Sequence, residues 1–296
     1  MFTKLTDTSK GAIFSVLVLF LALVMALLIR MFGSGVLAVW SITPTLATLI
    51  MLLAVTREGY SKEGWKSLGL HRLGLNVWWI AFGVTLLMSL IVSIIVWLTP
   101  FASFDFAPKY GVVVQILNFL LTVVILTLTN SLGEEIGMRG YLQPRLMSLG
   151  RTPALLLVGL VWAAWHMPLI FLTPFYHTAG NRLIVVALFV GTIVAASFFF
   201  GYLRIYTGSI WPASIAHAVH NAAWGTLASF TVITSSPVMV NEYLAGDNGI
   251  LILVTTAIGA VLVGYMLRRG MDQAQSGTAA SAATPPATPA ATAAPR

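Results

Sequence analysis

The chain has 296 residues, 58% of them hydrophobic and 8% charged, with a net charge of +7. So few charged groups cannot coat a soluble surface of this size, which excludes a water-soluble globular domain and leaves a lipid-facing exterior. The positive charge lies in short segments between apolar blocks, where it reads as topology, so the bilayer and not nucleic acid is the expected partner.

The apolar residues fall in about eight blocks of roughly 20 residues, the length a helix needs to cross a hydrocarbon core ~30 Å thick. In chain order they run from Ala12 to Phe32, Val36 to Val55, Val77 to Leu98, Val112 to Leu132, Ala154 to Leu172, Leu183 to Leu203, Ile210 to Phe230 and Ile250 to Leu267. The runs are continuous and not alternating, which argues against a barrel. The expected fold is all-α, a polytopic membrane helical bundle of about eight transmembrane helices.

Lys4 and Lys10 precede the first block, Arg57, Lys62, Lys66 and Arg72 follow the second, and Arg139, Arg145 and Arg151 follow the fourth. Arg204 follows the sixth block, and Arg268 and Arg269 the eighth, with Arg296 at the terminus. The opposite side holds Arg30, Lys109 and Arg182. By the positive-inside rule both termini are expected to be cytoplasmic. The first block is longer than a signal-peptide core and lacks a small-residue cleavage site, so it reads as a retained helix. Residues 57 to 73 read equally as an interfacial amphipathic helix or a solvated basic loop. After Met271 the sequence turns to Ala, Thr, Pro and Ser, a composition that does not order itself. One membrane domain, residues 1–271, and a disordered tail, 272–296, are therefore expected. No internal repeat is evident, and the absence of cysteine excludes disulfides and thiolate chemistry.

Polar groups at membrane depth cost roughly 2.5–3.5 kcal/mol each on insertion scales, so their clusters mark candidate sites. Three stand out: Glu134-Glu135 with Arg139 at the end of the fourth block, His166 inside the fifth, and His217, His220 and Asn221 inside the seventh. Entering from the cytoplasm, His166 and His217 lie on the order of 10–20 Å deep, so the clusters can meet. Glu135 and Arg139 have the spacing of an ion pair, which makes Glu135 the supporting carboxylate and Glu134 the chemical one. His217 and Asn221 share a helix face, and His220 can line the same cavity. His177 and His71 read as solvated.

A carboxylate beside imidazoles in a desolvated pocket can deprotonate a water, while imidazole N–H and asparagine amide groups can stabilise an oxyanion, so amide hydrolysis is the natural reaction. The same set, Glu134, His166, His217 and Asn221, could instead hold zinc or another divalent metal. The H-E-x-x-H motif is absent, as are the G-x-S-G and G-x-G-D patterns of other intramembrane proteases.

At these residues the sequence resembles the CPBP family, the CAAX protease and bacteriocin-processing proteins, also called Abi, which are marked by E-E-x-x-x-R, F-x-x-x-H and H-x-x-x-N or D. Glu134-Glu135 to Arg139 and His217 to Asn221 match, and Trp162 stands where phenylalanine is usual four residues before His166. The resemblance implies an eight-helix membrane endopeptidase in which Glu134 activates water, His166 assists, and His217 with Asn221 stabilises the oxyanion. Glu135 and Arg139 carry over as supporting residues, and His220 is a second-tier candidate. The expected substrate is a membrane-associated protein or peptide cleaved near the cytoplasmic face, in a bacterial inner or plasma membrane. A non-catalytic immunity or protein-binding factor of the same fold, and a transporter or proton relay, are the rival readings.

Overall fold

The computed structural model describes residues 5–283. Its helices are α1 Asp7–Phe32, α2 Leu37–Trp40, α3 Thr43–Ile50, α4 Lys62–Ser67, α5 Trp78–Trp97, α6 Gly111–Leu128, α7 Asn130–Glu135, α8 Gln143–Leu146, α9 Arg151–Leu172, α10 Arg182–Thr207, α11 Trp211–Ala228 and α12 Ile250–Ala283. Two short strands, β1 Ala102–Phe104 and β2 Thr231–Ile233, pair antiparallel with Ser103 opposite Val232. They tie the segment before α6 to the segment after α11, a pairing no sequence periodicity announced.

Among the described residues, six helices are long and apolar enough to cross a membrane. They are Asp7–Phe32, Leu75–Trp97, Gly111–Leu149, Arg151–Leu172, Arg182–Thr207 and Ile250–Arg269. The chain is thus an all-α, multi-pass membrane bundle. Two of the eight apolar blocks fall outside this set for physical reasons. The second is broken at Ser41 and Pro44 and closes in a π-turn, Met51–Val55, leaving the shorter apolar helix Thr43–Val55. The seventh is α11, whose serine, two histidines and asparagine dilute its apolarity.

That dilution reflects where α11 sits. It packs against α5, α6, α7 and α10, and its residues from Pro212 to Val219 are all buried. Small side chains at Ala213, Ser214, Ala216, Ala218, Ala222 and Ala223 let neighbouring backbones approach, as in other membrane helix interfaces. The remaining helices pair around it: α9 against α1 and α10, and α12 against α10 and α5.

α1 starts where Thr6 accepts from the Ser9 backbone N–H at 3.2 Å and Asp7 sits in the first turn. At that end Lys10 meets Glu58 at 2.7 Å, and Glu58 also pairs with Arg145. One carboxylate therefore links the start of α1, the turn after the second block and α8. The segment after α4 is strapped to the start of α11 by Trp211 Nε1–H donating to the Leu70 carbonyl, 2.9 Å, and Ser209 Oγ–H to the Arg72 carbonyl, 2.6 Å. α12 runs on to Ala283, past the compositional boundary at residue 271. Residues 284–296, the remainder of the expected tail, lie outside the described residues.

Candidate active site

Glu134 and Glu135 end α7, and the chain then passes through a π-turn, Ile136–Leu142, before α8. Such a turn offsets helix register and recurs at functional sites. It is made possible by close packing: a Cβ on Gly137 would lie 2.4 Å from Pro44 Cβ, so only glycine lets the turn seat against α3. Thr45 Oγ1–H donates to the Gly133 carbonyl at 2.7 Å and fixes α7 to α3.

Glu135 is fully buried and its Oε1 accepts from two sides, Arg139 NH1 at 3.0 Å and His217 Nδ1–H at 3.0 Å. Arg139, also fully buried, lies with its guanidinium carbon 4.2 Å from the Trp162 ring centroid and 5.1 Å from that of Phe200. Arg204 Nε–H donates to the Arg139 carbonyl at 3.1 Å, joining α10 to the same turn. The pair is held by Glu135 Oε1 and by the two rings beside the guanidinium, while Glu135 Oε2 and Arg139 Nε and Nη2 have no hydrogen-bond partner among the described residues.

Glu134 faces a cavity of about 420 Å³, within the ~300–1,000 Å³ range of small-ligand sites. His166, His217, His220 and Asn221 line the same cavity, so the structure brings all five together. Glu134 Oε2 accepts from Trp162 Nε1–H at 2.8 Å. His166 Nδ1 lies 2.9 Å from the Trp162 carbonyl, an acceptor only, so the proton is on Nδ1 and Nε2 keeps the lone pair. The Nδ1–H of His217 is committed to Glu135 in the same way. Trp165 and Phe189 pack edge-on to the His166 ring, at 4.5 and 5.0 Å between centroids. Asn221 is the exposed member of the set.

Neutral imidazoles so oriented accept at Nε2 and do not donate. His217 can support an oxyanion only as the imidazolium, with its Nδ1–H held by Glu135 and its Nε2–H turned to the substrate. Among the described residues, no three His, Cys, Asp or Glu side chains are grouped as metal ligands, whereas a catalytic zinc takes three protein ligands and a water.

Trp162 was legible only as an aromatic substitute for phenylalanine. In the structure its indole N–H is a donor to Glu134 that phenylalanine lacks. Trp162→Phe keeps the ring and deletes that bond, and is expected to lower kcat about tenfold at unchanged KM, given the ~1.5–3 kcal/mol typical of hydrogen bonds to charged groups and partial compensation by water. Steady-state cleavage by the purified protein checks this; an unchanged kcat would mean the indole does not orient Glu134.

His177 corrects the sequence reading. It is buried, 9% exposed, with Nδ1 2.8 Å from Glu242 Oε2 and Nε2 3.4 Å from Asp247 Oδ1. Tyr176 donates its hydroxyl to Asp247 Oδ2 at 2.7 Å, and burial together with that carboxylate pushes the phenol well above its ordinary range, so it stays a donor. Tyr176, Asp247 and Asn248 also line the cavity, and residue spacing gave no sign of them because their partners lie far along the chain. His71 is exposed.

No curated protein matches this chain. Residues 116–223, which run from α6 into α11 and hold Glu134, His166, His217 and Asn221, match the family model described as type II CAAX prenyl endopeptidase Rce1-like. Over that segment, the chain carries a domain of the Rce1-like CAAX prenyl endopeptidase family.

Proposed function

We propose that the protein is an intramembrane endopeptidase that hydrolyses a peptide bond of a membrane-associated protein or peptide near the cytoplasmic face. The observation that carries this reading is the convergence of Glu134, His166, His217 and Asn221 on one cavity inside a segment matching a peptidase family. Glu134 takes a proton from a water as its oxygen attacks the scissile carbonyl carbon, with His166 Nε2 as the accessory acceptor. The tetrahedral oxyanion is met by the Asn221 amide and by His217 in its protonated form. Collapse breaks the C–N bond, the proton passes to the departing amine, and a carboxylate and an amine leave. The chain's own groups supply every proton transfer.

The bundle crosses the membrane eight times with both termini cytoplasmic, α3 with its π-turn and α11 being the two crossings that lipid touches least. The shared carboxylate of Glu58 supports this, since it gathers Lys10 and Arg145 at one end of the bundle. The catalytic unit is residues 1–271, and the tail takes no part in the chemistry.

The test is a comparison of peptide profiles from membranes expressing the wild type or Glu134→Ala at matched levels. A cleavage product present only with the wild type is the expected result and names a substrate. Identical profiles, with the biological phenotype of Glu134→Ala intact, would instead make the protein a binding or immunity factor. Solute or proton flux in liposomes without cleavage would make it a transporter.

A further inference from the structure

α6 meets the rest of the bundle along one narrow stripe. Gln115, Phe119 and Val123 are its buried residues, a share of 17% against 28–44% in the other five long apolar helices. Most of the helix therefore faces lipid. On that outer surface stands Asn118, exposed and with no hydrogen bond among the described residues. Its distance from Gly111 along the helix is about 10 Å at 1.5 Å per residue, well inside the apolar span. Hydrocarbon offers an amide neither donor nor acceptor, so polar groups at such depth are found against a bundle interior or another helix.

The neighbours of Asn118 on the same face follow a pattern. Val114, Asn118, Leu121, Ile125 and Leu128 are spaced by four, three, four and three residues, and the four apolar members are between 45% and 59% exposed. Alternating steps of four and three keep side chains on one seam of a helix that coils left-handedly about a partner. In such a seam Asn118 and Ile125 take the a positions, and Val114, Leu121 and Leu128 the d positions. A β-branched residue at a with leucine at d favours two parallel strands, and a single asparagine at an a position specifies their register and number. The other exposed flank, with Val113, Ile116 and Leu120, carries apolar side chains that lipid alone satisfies.

We propose that α6 is a homodimer interface: two copies of this chain pair their α6 helices in parallel about a two-fold axis along the membrane normal, and the two Asn118 amides hydrogen-bond to each other. The occupant follows from the chemistry. A primary amide carries both donors and an acceptor, so it is complementary to itself, and a two-fold axis brings the same residue of both copies face to face. Copies inserted in one orientation present α6 in the same direction, which is the parallel arrangement the seam requires. Leucine gains nothing by leaving lipid for another leucine, so association rests on packing along the seam and on the amide pair. None of the five seam residues lines the cavity, and the inference is independent of the proteolytic reading.

The chain has no cysteine, so single cysteines report on this face without background. Full-length protein in membranes, carrying Leu121→Cys or Ile125→Cys, is expected to form a disulfide-linked dimer on oxidation with copper phenanthroline. Ile116→Cys and Leu120→Cys are expected to stay monomeric. Association is then read by energy transfer between copies labelled with a donor or an acceptor at the C-terminus, in liposomes of rising lipid-to-protein ratio. Asn118→Leu should raise the dissociation constant about tenfold, whereas Asn118→Gln, which keeps the amide, should stay within about threefold of the wild type. Asn118→Leu places an apolar side chain in lipid, so its loss of association is not loss of folding, and its circular dichroism should match the wild type.

Equal association of the wild type and Asn118→Leu, monomers at every lipid ratio, or cross-links at Ile116→Cys and Leu120→Cys in place of the seam would each overturn the proposal. Cross-links from the seam to a different membrane protein, with none between copies, would also overturn it and assign the face to that partner.

Discussion

Glu134→Gln is expected to reduce kcat for peptide cleavage by about 10³-fold or more while leaving substrate binding within about twofold. The substitution keeps the shape of the side chain and its bond from Trp162 Nε1–H, which the amide oxygen can still accept. What it removes is the oxygen that accepts a proton from water, and proton transfer by a placed base supplies typically 10²–10⁴-fold. Glu134 has one side-chain bond and a cavity on its other side, so its loss should not weaken the bundle, and relief of a buried charge is expected to hold or raise the thermal midpoint. Single-turnover cleavage and a melting curve on the same preparation check both halves. Retained turnover would remove Glu134 as the base, and a collapsed midpoint would make it a structural carboxylate.

Arg139→Ala is expected to lower stability by about 3–5 kcal/mol, the range seen when one member of a buried ion pair is deleted. Glu135 would be left charged and fully buried with only the imidazole of His217 against it. Trp162 and Phe200 would lose the cation that lies over their rings. The double variant Glu135→Gln with Arg139→Met should recover much of the loss, because no uncompensated charge remains. Detergent-titrated unfolding of the wild type, the single and the double variant reads the difference. A single variant as stable as the wild type would mean that the pair is solvated in the folded protein and does not act as a buried pair.

How much of this was legible in the sequence follows from the range of the contacts involved. The membrane bundle was readable because length and apolarity of a block are local properties. Glu135 and Arg139 were paired in advance because four residues apart on a helix is a contact by geometry. The fragmentation of the second block followed from Ser41 and Pro44, but whether a proline kinks or ends a helix depends on what packs there, here the π-turn at Gly137. His177 reads as a loop residue until Glu242 and Asp247 are brought to it across α10 and α11.

The two adjacent carboxylates carry separate duties. Glu135 Oε1 holds both an arginine and a histidine, so changing it disturbs folding and the site at once. Its neighbour bonds one indole and faces open space. On the proposed function, a single substitution at Glu134 would therefore silence the chemistry while leaving the bundle and its lined cavity intact, whereas one at Glu135 would cost both.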